Sequence, residues 1–406
     1  MRRIGAFLLA AVVALGFLMS PAADWAVVAA ASDPPAVRGI RQLNYDQAGH
    51  RELPREMYER VLADTPLNVT SLYVMGSSEF GVPVDQNPSR LLPAKVTDFD
   101  MYLSGRGYQQ SLYHALELAA VSQSLRTKKV ALIVSPQWFA NRDGIAEGAF
   151  RSVFSYSAWD EMLANQSLSP AVRKRLVRRV GELMPELCRA WATCSDNPVT
   201  RVKDALETPY NLVDVRLGVL QESYDHKKVR SRFQYTGSYV QQGSPMGSFD
   251  WTTANEQADA QASLATRGNP YGMQQDYYKR RIEPYLASLK GHEAPVQYTD
   301  SREYDDLDLF LEVAHDLGLE VMLVALPVNG PWSDFTGLPM NERTMYAAKV
   351  QQVAANEWRV DSNHPPLTFV DLTSKMYEPY YFFDTLHLGW RGWLDVTEIC
   401  WRFAKK

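Results

Sequence analysis

Five short apolar runs, separated by segments with helical periodicity, constrain the fold of this chain more than any other feature. Polar or turn residues bound each run, and the runs lie at residues 71–75, 99–103, 130–135, 320–326 and 367–372. Runs of this length are typical of buried strands. Because strands that alternate with helices form a parallel sheet covered on both faces, the sequence predicts an α/β fold.

Three stretches between these runs have apolar residues at helical spacing, at residues 109–125, 305–317 and 341–358. This is the spacing of helices that pack one face on a sheet. A fourth amphipathic helix is predicted at residues 51–64, after a connector at residues 31–49 that contains proline and glycine.

The carboxyl ends of the predicted strands indicate where a site should lie, because ligands bind there in open parallel sheets. Four segments directly follow a predicted strand: Ser78 and residues 105–107, 135–138 and 327–332. We expect them to share one edge of the sheet, which makes that edge the predicted active site.

A long interruption at about residues 141–299 separates the third predicted strand from the fourth. Its signals are mainly helical, and Ser169 followed by Pro170 is a typical helix start. Residues 237–248 are rich in glycine and serine and are predicted to form a loop. We interpret the interruption as a helical insertion folded against the rim of the sheet.

The N-terminus is predicted to direct the rest of the chain out of the cytoplasm. Arg2 and Arg3 precede an apolar stretch at residues 4–19, which continues in small residues to Ala31. A cleaved signal peptide and an uncleaved anchor both fit this pattern, since a span needs roughly 20 apolar residues. Trp25 favours an anchor slightly. The resulting division is an anchor at residues 1–31 and an extracytoplasmic domain at residues 32–406.

Charge and cysteine content exclude several classes of function. The 406 residues have a formal net charge of -5, which lacks the basic character that nucleic-acid binding requires. The only cysteines are Cys188, Cys194 and Cys400, and their spacing fits no zinc site. A bridge between Cys188 and Cys194 is possible outside the cell, although two free thiols are favoured. The sequence predicts no metal and no cofactor.

Two motifs contain the groups of a serine acyl-transfer site. Gly76-Ser77-Ser78-Glu79 follows the first predicted strand, and Asp384 precedes His387 by three residues near the C-terminus. A serine hydroxyl becomes a strong nucleophile when an imidazole takes its proton and a carboxylate orients that imidazole. The spacing places Asp384 and His387 on the same side of a turn. We predict Ser78 as the nucleophile, with Ser77 as the competing candidate.

Simpler roles exist for the same residues. Ser78 could cap the following helix, and Glu79 is interpreted as a first-turn acid favoured by the helix dipole. His387 is distinguished by its neighbour Asp384 and by aromatic residues on both sides, whereas the other six histidines are interpreted as ordinary loop residues. The aromatic residues at 380–383 could exclude water from the site or simply pack in the core.

Gly107 is the predicted oxyanion donor beside Ser78, because a glycine lets a backbone N–H approach a substrate closely. A simple turn between a strand and a helix explains it as well.

A basic face is expected on the helix that follows Ser169, at residues 173–179. A solvated surface is the favoured interpretation. Attraction to a polyanion such as a phosphate-rich polymer, or to anionic headgroups, is the alternative.

Four sequence blocks together resemble the DltD family, the membrane-anchored D-alanyl transfer proteins of Gram-positive bacteria. They are residues 76–79, 135–139, 327–332 and 384–393, and their order along the chain matches that family. The resemblance covers nearly the whole chain, including the N-terminal segment, and the last block is the most specific.

The resemblance implies a flavodoxin-like core of the type found in SGNH serine hydrolases. It implies D-alanylation of teichoic acid at the outer face of the membrane, beside a membrane-bound acyltransferase and small partner proteins of the same system. The family pattern assigns the nucleophile to Ser78 and the pair to Asp384 and His387. Substrate-binding positions expected from the matching blocks are Trp138, Asn329, Trp332 and Trp390.

The sequence departs from the SGNH pattern at the oxyanion hole. The asparagine of that pattern has no clear counterpart, and Gln137 follows its strand near the corresponding place. Arg106 and Tyr108 stand where many relatives have smaller residues. Two other functions stay open: an ester or thioester hydrolase with the same triad, and a non-enzymatic anchored adaptor that presents donor or polymer to a membrane partner.

Overall fold

The structure is a computed structural model. It describes residues 12–30, 42–43, 55, 58–59, 62, 65–187, 212–213, 215–221, 243–358, 360 and 364–406. The predicted helix at residues 51–64 lies mostly outside these ranges, and both Cys188 and Cys194 lie outside them. Cys400 is buried and free.

A parallel sheet forms the centre of the described part of the chain. Its strands are β1 (Gln42–Leu43), β2 (Thr70–Gly76), β3 (Phe99–Gly105), β4 (Lys129–Val134), β5 (Glu320–Ala325) and β6 (Thr368–Asp371). Their order across the sheet is β1-β3-β2-β4-β5-β6, and every neighbouring pair is parallel. The five predicted strands are confirmed with small shifts at their ends, whereas β1 lies in the segment predicted as a connector.

The helices cover both faces of this sheet. They are α1 (Pro21–Ala30), α2 (Pro88–Lys95), α3 (Ser111–Val121), α4 (Glu147–Val153), α5 (Tyr156–Ala164), α6 (Pro170–Leu183), α7 (Trp251–Ala265), α8 (Glu303–Asp316), α9 (Gly330–Thr336), α10 (Glu342–Glu357) and α11 (Trp390–Lys405). Residues 12–18 and 215–221 are also helical, and short helical turns occupy residues 275–289. The three predicted helices are confirmed as α3, α8 and α10.

Alternation along the strands divides the core into two layers. Successive strand side chains point to opposite faces, so Tyr73 and Met75 of β2 pack with α3, α8 and α10, while Leu72 and Val74 pack with α2, α7 and α11. The order of the five longer strands is that of a doubly wound sheet, in which the chain starts near the middle and builds outward in both directions.

The regular elements that the structure describes in the insertion between β4 and β5 are helices, joined by turns and loops. The side chain of Ser169 accepts a hydrogen bond from the backbone N–H of Val172, and Pro170 opens α6, as predicted. The only strand-like contact of residues 141–299 in the described ranges is an isolated bridge from Ser244 to Val96.

The basic face of α6 is largely paired within the protein. Arg175 contacts Asp308 and Glu312 of α8, and Arg179 contacts Asp306 at 2.7 Å with its own side chain almost fully buried. These two arginines hold the insertion against α8. Both interpretations of the basic face, a solvated surface and a polyanion site, are therefore wrong for Arg175 and Arg179.

Among the described residues, which include the N-terminal helical segments at 12–30, no helix combines the length and the apolar character that crossing a bilayer requires.

The ends of β2 and β3 approach so closely that only glycine fits. Gly76 pairs with Gly105 in the register of the two strands, and a Cβ on Gly105 would lie 2.5 Å from the carbonyl oxygen of Gly76. This contact sets the position of the turn that follows β2.

Candidate active site

Ser78 begins a single turn of 3-10 helix, Ser78–Gly81, immediately after β2. Its Oγ lies 2.8 Å from Nε2 of His387, which is more than 300 positions away in sequence. The hydroxyl of Ser77 instead donates to the carbonyl oxygen of Arg106 at 2.9 Å. Of the two candidate nucleophiles, Ser78 is therefore the one that contacts the imidazole.

Asp384 and His387 lie in one tight turn between β6 and α11. The backbone N–H of Phe383 donates to the carbonyl oxygen of His387 and closes the turn. Within it, Nδ1 of His387 lies 2.7 Å from Oδ2 of Asp384. The other oxygen, Oδ1, accepts the backbone N–H groups of Leu386 at 2.9 Å and His387 at 2.8 Å. With the Nδ1 proton held by Asp384, Nε2 is free to accept the proton of Ser78.

The electrostatics of this pair favour proton transfer to the imidazole. Burial by itself would lower the pKa of His387, but the hydrogen bond and charge of Asp384, with the charge of Glu79, raise that pKa above its ordinary value. Burial would raise the pKa of Asp384, but the hydrogen bonds from His387 and the backbone N–H groups lower it. The site therefore stabilises the imidazolium that forms when Ser78 loses its proton.

Asn329 holds the loop that carries Asp384. It is 1% exposed, and its Nδ2 donates to the carbonyl oxygens of Asp384 and Tyr271, both at 3.1 Å. Its Oδ1 accepts the N–H of Trp332 and caps α9. Asn329 was expected to bind substrate, but the polar atoms of its side chain are used within the protein, so in this structure it positions the triad loop.

A second histidine–carboxylate pair lies under the same strand end. His114 and Glu117 of α3 are fully buried, with Nδ1 of His114 2.8 Å from Oε2 of Glu117. Nε2 of His114 lies 2.7 Å from the carbonyl oxygen of Gly76. Oε1 of Glu117 accepts the hydroxyls of Tyr73 and Ser104.

Both ring nitrogens of His114 thus face oxygen acceptors. A carbonyl oxygen can only accept a hydrogen bond, so the contact with Gly76 requires His114 to donate from Nε2. The interpretation of His114 as a loop residue is wrong, because it lies in α3. The sequence signal that could have revealed this pair is a histidine and a glutamate three residues apart in an otherwise apolar helix.

Comparison with known proteins gives the family. The family model described as DltD protein matches residues 54–405, a range that contains Ser78, Asp384 and His387. The chain belongs to the DltD family. Similar proteins named Protein DltD come from Bacillus subtilis (strain 168), 30% identical over 83% of each chain, and from Lacticaseibacillus rhamnosus, 26% identical over 82% of this chain and 77% of the relative. A third, from Staphylococcus aureus (strain NCTC 8325 / PS 47), is 26% identical over 80% of this chain and 78% of the relative.

The three tryptophans expected to bind substrate in this DltD family member are buried. Trp332 packs edge-on against Tyr271 at 5.2 Å between ring centres, and Trp390 lies 5.9 Å from Phe383. Trp138 lies beside the His114 ring, at 6.2 Å. Each is at most 5% exposed. Direct contact with substrate stays a prediction for them.

Glu79 lies in the first turn of the 3-10 helix that follows β2, as the sequence predicts. It is fully buried, and its Oε1 accepts the backbone N–H of Ser77 at 2.9 Å. Burial raises the pKa of its carboxyl above the ordinary value. A Cβ on Gly76 would lie 2.8 Å from that Oε1, so the glycine makes room for the carboxylate. Glu79 fixes the backbone on the N-terminal side of Ser78.

The oxyanion candidates lie beyond the ends of β3 and β4. Gly107 is half-buried, and a Cβ there would meet no atom within 4 Å, so packing does not require a glycine at this position. Tyr108 follows it with a φ of 73°, a left-handed conformation, and is 62% exposed. The Oε1 of Gln137 is buried without a hydrogen-bond partner in the described structure. The role of these groups as oxyanion donors stays a prediction.

Some buried polar atoms in the same two segments have no hydrogen-bond partner within the described residues. They are Nε of Arg106, both amide atoms of Gln109, Oε1 of Gln110, Oε1 of Gln137 and Nε1 of Trp138. Buried polar groups are normally satisfied by protein or by water, so these atoms are available to water or to a ligand.

A metal centre at the triad has no support in the described residues. The only group of three candidate ligands found there is Asp308, Glu312 and Glu357. These residues lie on α8 and α10, and Arg175 already pairs with two of them, so ion pairing explains the group.

Proposed function

We propose that this DltD family member is a serine-dependent O-acyl transferase that moves D-alanyl groups onto teichoic acid. The single observation that carries the proposal is the continuous hydrogen-bonded chain from Ser78 through His387 to Asp384 at the carboxyl edge of the sheet. Membership of the family supports the D-alanyl group and the polymer as substrates, as the sequence resemblance implies.

The first step is acylation of Ser78. Its Oγ attacks the carbonyl carbon of a D-alanyl ester or thioester while Nε2 of His387 takes the hydroxyl proton. Asp384 stabilises the imidazolium through Nδ1. The tetrahedral intermediate then collapses, the alcohol or thiol leaves with the proton from His387, and a D-alanyl ester on Ser78 remains.

The second step transfers the acyl group to the polymer. A teichoic acid hydroxyl attacks the ester carbon and gives its proton to His387. The bond to Ser78 Oγ breaks, and the serine regains its proton from the imidazolium. In both steps the oxyanion would be held by the backbone N–H groups of Ser78 and Gly107, with the Gln137 side chain nearby.

The fold and location complete the proposal. The strand order supports a flavodoxin-like core of the SGNH-hydrolase type, with residues 141–299 as its helical insertion. The N-terminal segment would anchor the protein, leaving the catalytic domain outside the membrane beside a membrane-bound acyltransferase that supplies the D-alanyl group and small partner proteins of that system. Neither step requires a metal or a cofactor.

Two alternatives use the same residues differently. A hydrolase would pass the acyl group to water, and an anchored adaptor would need no acylation of Ser78. The alignment of Ser78, His387 and Asp384 disfavours the adaptor, because side chains that only support binding need no such chain of contacts.

The test is ester formation in cells. Ser78→Ala, expressed in a cell that lacks the native gene, should abolish D-alanine esters on the polymer, measured after mild alkaline release. Ser77→Ala is the matched control, since it removes a neighbouring hydroxyl that contacts Arg106 instead, and it should keep most of the esters. Normal ester levels with Ser78→Ala would remove the covalent mechanism and favour the adaptor.

A further inference from the structure

A groove beside the nucleophile turn runs down the flank of the molecule between α2 and α7. Its volume is about 470 Å³. Gln86 and Gln261 line its upper end, and Lys95 and Asp250 line its lower end. Because α2 ends just before β3 starts, the groove leads from the catalytic edge of the sheet towards the opposite edge. Eight residues of helix span roughly 12 Å.

The upper end of the groove is tied to the catalytic turn. Asn87, which caps α2, donates from Nδ2 to the carbonyl oxygens of Phe80 at 3.0 Å and Val82 at 3.1 Å. Phe80 belongs to the 3-10 turn that Ser78 begins. A ligand in the groove therefore lies on an element that is hydrogen-bonded to the nucleophile turn.

The two carboxylates of the groove already have partners in the protein. Asp250 caps α7 and accepts the N–H and the hydroxyl of Thr253, at 3.0 and 2.7 Å. Asp85 accepts the amide of Gln261 at 3.0 Å. Neither carboxylate needs a cation from a ligand.

The two cations of the groove and one buried acceptor lack such partners. In the part of the chain that the structure describes, Arg90 and Lys95 form no ion pair, and Arg90 reaches only the Pro83 carbonyl oxygen, at 3.5 Å. Gln86 is 5% exposed. Its Nε2 donates to Gln261 at 2.9 Å, which leaves its Oε1 buried and without a partner in the described structure.

We infer that this groove binds a phosphodiester-linked polyol, the backbone of the acceptor polymer. Arg90 and Lys95 supply charge for phosphates, Gln86 Oε1 accepts a hydroxyl, and the partly buried Leu91 and Phe249 contact the carbon chain. The choice of polymer rests on the proposed function. The groove would hold one stretch of polymer while a neighbouring hydroxyl reaches Ser78.

The test is direct binding of a glycerol phosphate oligomer, free of D-alanine, to the full chain in detergent micelles. Fluorescence anisotropy of an end-labelled oligomer gives Kd. The double variant Arg90→Gln/Lys95→Gln should raise Kd about tenfold or more, because charge-assisted hydrogen bonds are lost. Gln86→Met should raise it several-fold. The matched control, Lys279→Gln/Arg280→Gln, removes the same charge from exposed positions at 275–289 and should change Kd less than about twofold.

Equal weakening by both double variants, or no change with Arg90→Gln/Lys95→Gln, overturns the proposal. Binding to phosphatidylglycerol vesicles through Arg90 and Lys95, with no binding of the oligomer, also overturns it and assigns the groove to the membrane. Arg90 and Lys95 are exposed, so their substitution tests binding without unfolding the protein even if Gln86→Met does not fold. No acyl donor is present, so the result is independent of whether Ser78 is acylated.

Discussion

Two histidine–carboxylate pairs, Asp384–His387 and His114–Glu117, contact the segment that carries the nucleophile, and they differ in what the second ring nitrogen of the histidine faces. Spacing does not distinguish them, since both partners are three residues apart and the contacts measure 2.7 and 2.8 Å. Nε2 of His387 faces the hydroxyl of Ser78, whereas Nε2 of His114 faces the carbonyl oxygen of Gly76.

This difference determines what each pair can do. A hydroxyl can give up a proton, so His387 can act as a base. A carbonyl can only accept a hydrogen bond, so His114 must keep its Nε2 proton and can only hold the backbone. Solvent access follows the same division, because the His387 side chain is 20% exposed and that of His114 is 0% exposed. The first pair suits chemistry, and the second fixes the strand end from which Ser78 projects.

The largest expected effect is that of His387→Gln. The variant removes the base, so acylation of Ser78 by a serine-directed fluorophosphonate should fall by roughly 10⁴-fold or more. Its free energy of unfolding should change by no more than about 1 kcal/mol, since the ring is partly exposed. Labelling rates and denaturant melts of one preparation measure both. Near-normal labelling would show that His387 does not activate the serine.

Asp384→Asn should have the next largest effect, a loss of roughly 10³- to 10⁴-fold in the labelling rate. It should also change the pH profile. Activity needs neutral His387, so the rate rises as pH passes upward through the pKa of His387. Asp384 raises that pKa above the ordinary 6.5, which places the wild-type midpoint above this value.

The midpoint should therefore move to lower pH in Asp384→Asn, and labelling rates across the pH range measure it. Glu117→Gln is the matched variant at the other pair and should leave the midpoint in place. An unshifted midpoint in Asp384→Asn, or an equal shift in Glu117→Gln, would contradict the different roles assigned to the two pairs.

The smallest effect on chemistry and the largest on stability are expected for His114→Phe. The aromatic ring keeps much of the volume but leaves Glu117 buried without its histidine partner, which should cost about 3–5 kcal/mol in the free energy of unfolding. The folded fraction should label within about tenfold of the wild-type rate. His114→Gln, which can still donate to Gly76, should recover part of the rate. A rate loss as large as that of His387→Gln would mean that His114 takes part in the chemistry.

Much of the fold followed from local pattern. Each apolar run became a strand, and those of β2, β3, β4 and β5 are buried on both faces. The capping of α6 followed from Ser169 and Pro170 alone. The edge strand β1 could not be predicted, because Gln42–Leu43 is too short to show any periodicity.

The site was predictable where chemistry limits the residue types. Ser78, His387 and Asp384 came from two short motifs, because few other residue combinations can activate a hydroxyl. His114 was misjudged, and the contact of Asn329 with the triad loop was not foreseen, because the contacts with Gly76 and Asp384 exist only in the folded chain. The first-turn position of Glu79 was predictable, but its burial was not, since that burial depends on the space that Gly76 leaves.

The most direct test of the central claim is to trap the acyl group on the protein. The full chain is incubated with membranes and an isotopically labelled D-alanyl donor, quenched in acid, digested and analysed by mass spectrometry. The account predicts a D-alanyl mass increment on the peptide that contains Ser78, lost in Ser78→Ala and retained in Ser77→Ala. The same increment on Ser77, or on neither serine while the polymer is still esterified, would contradict it.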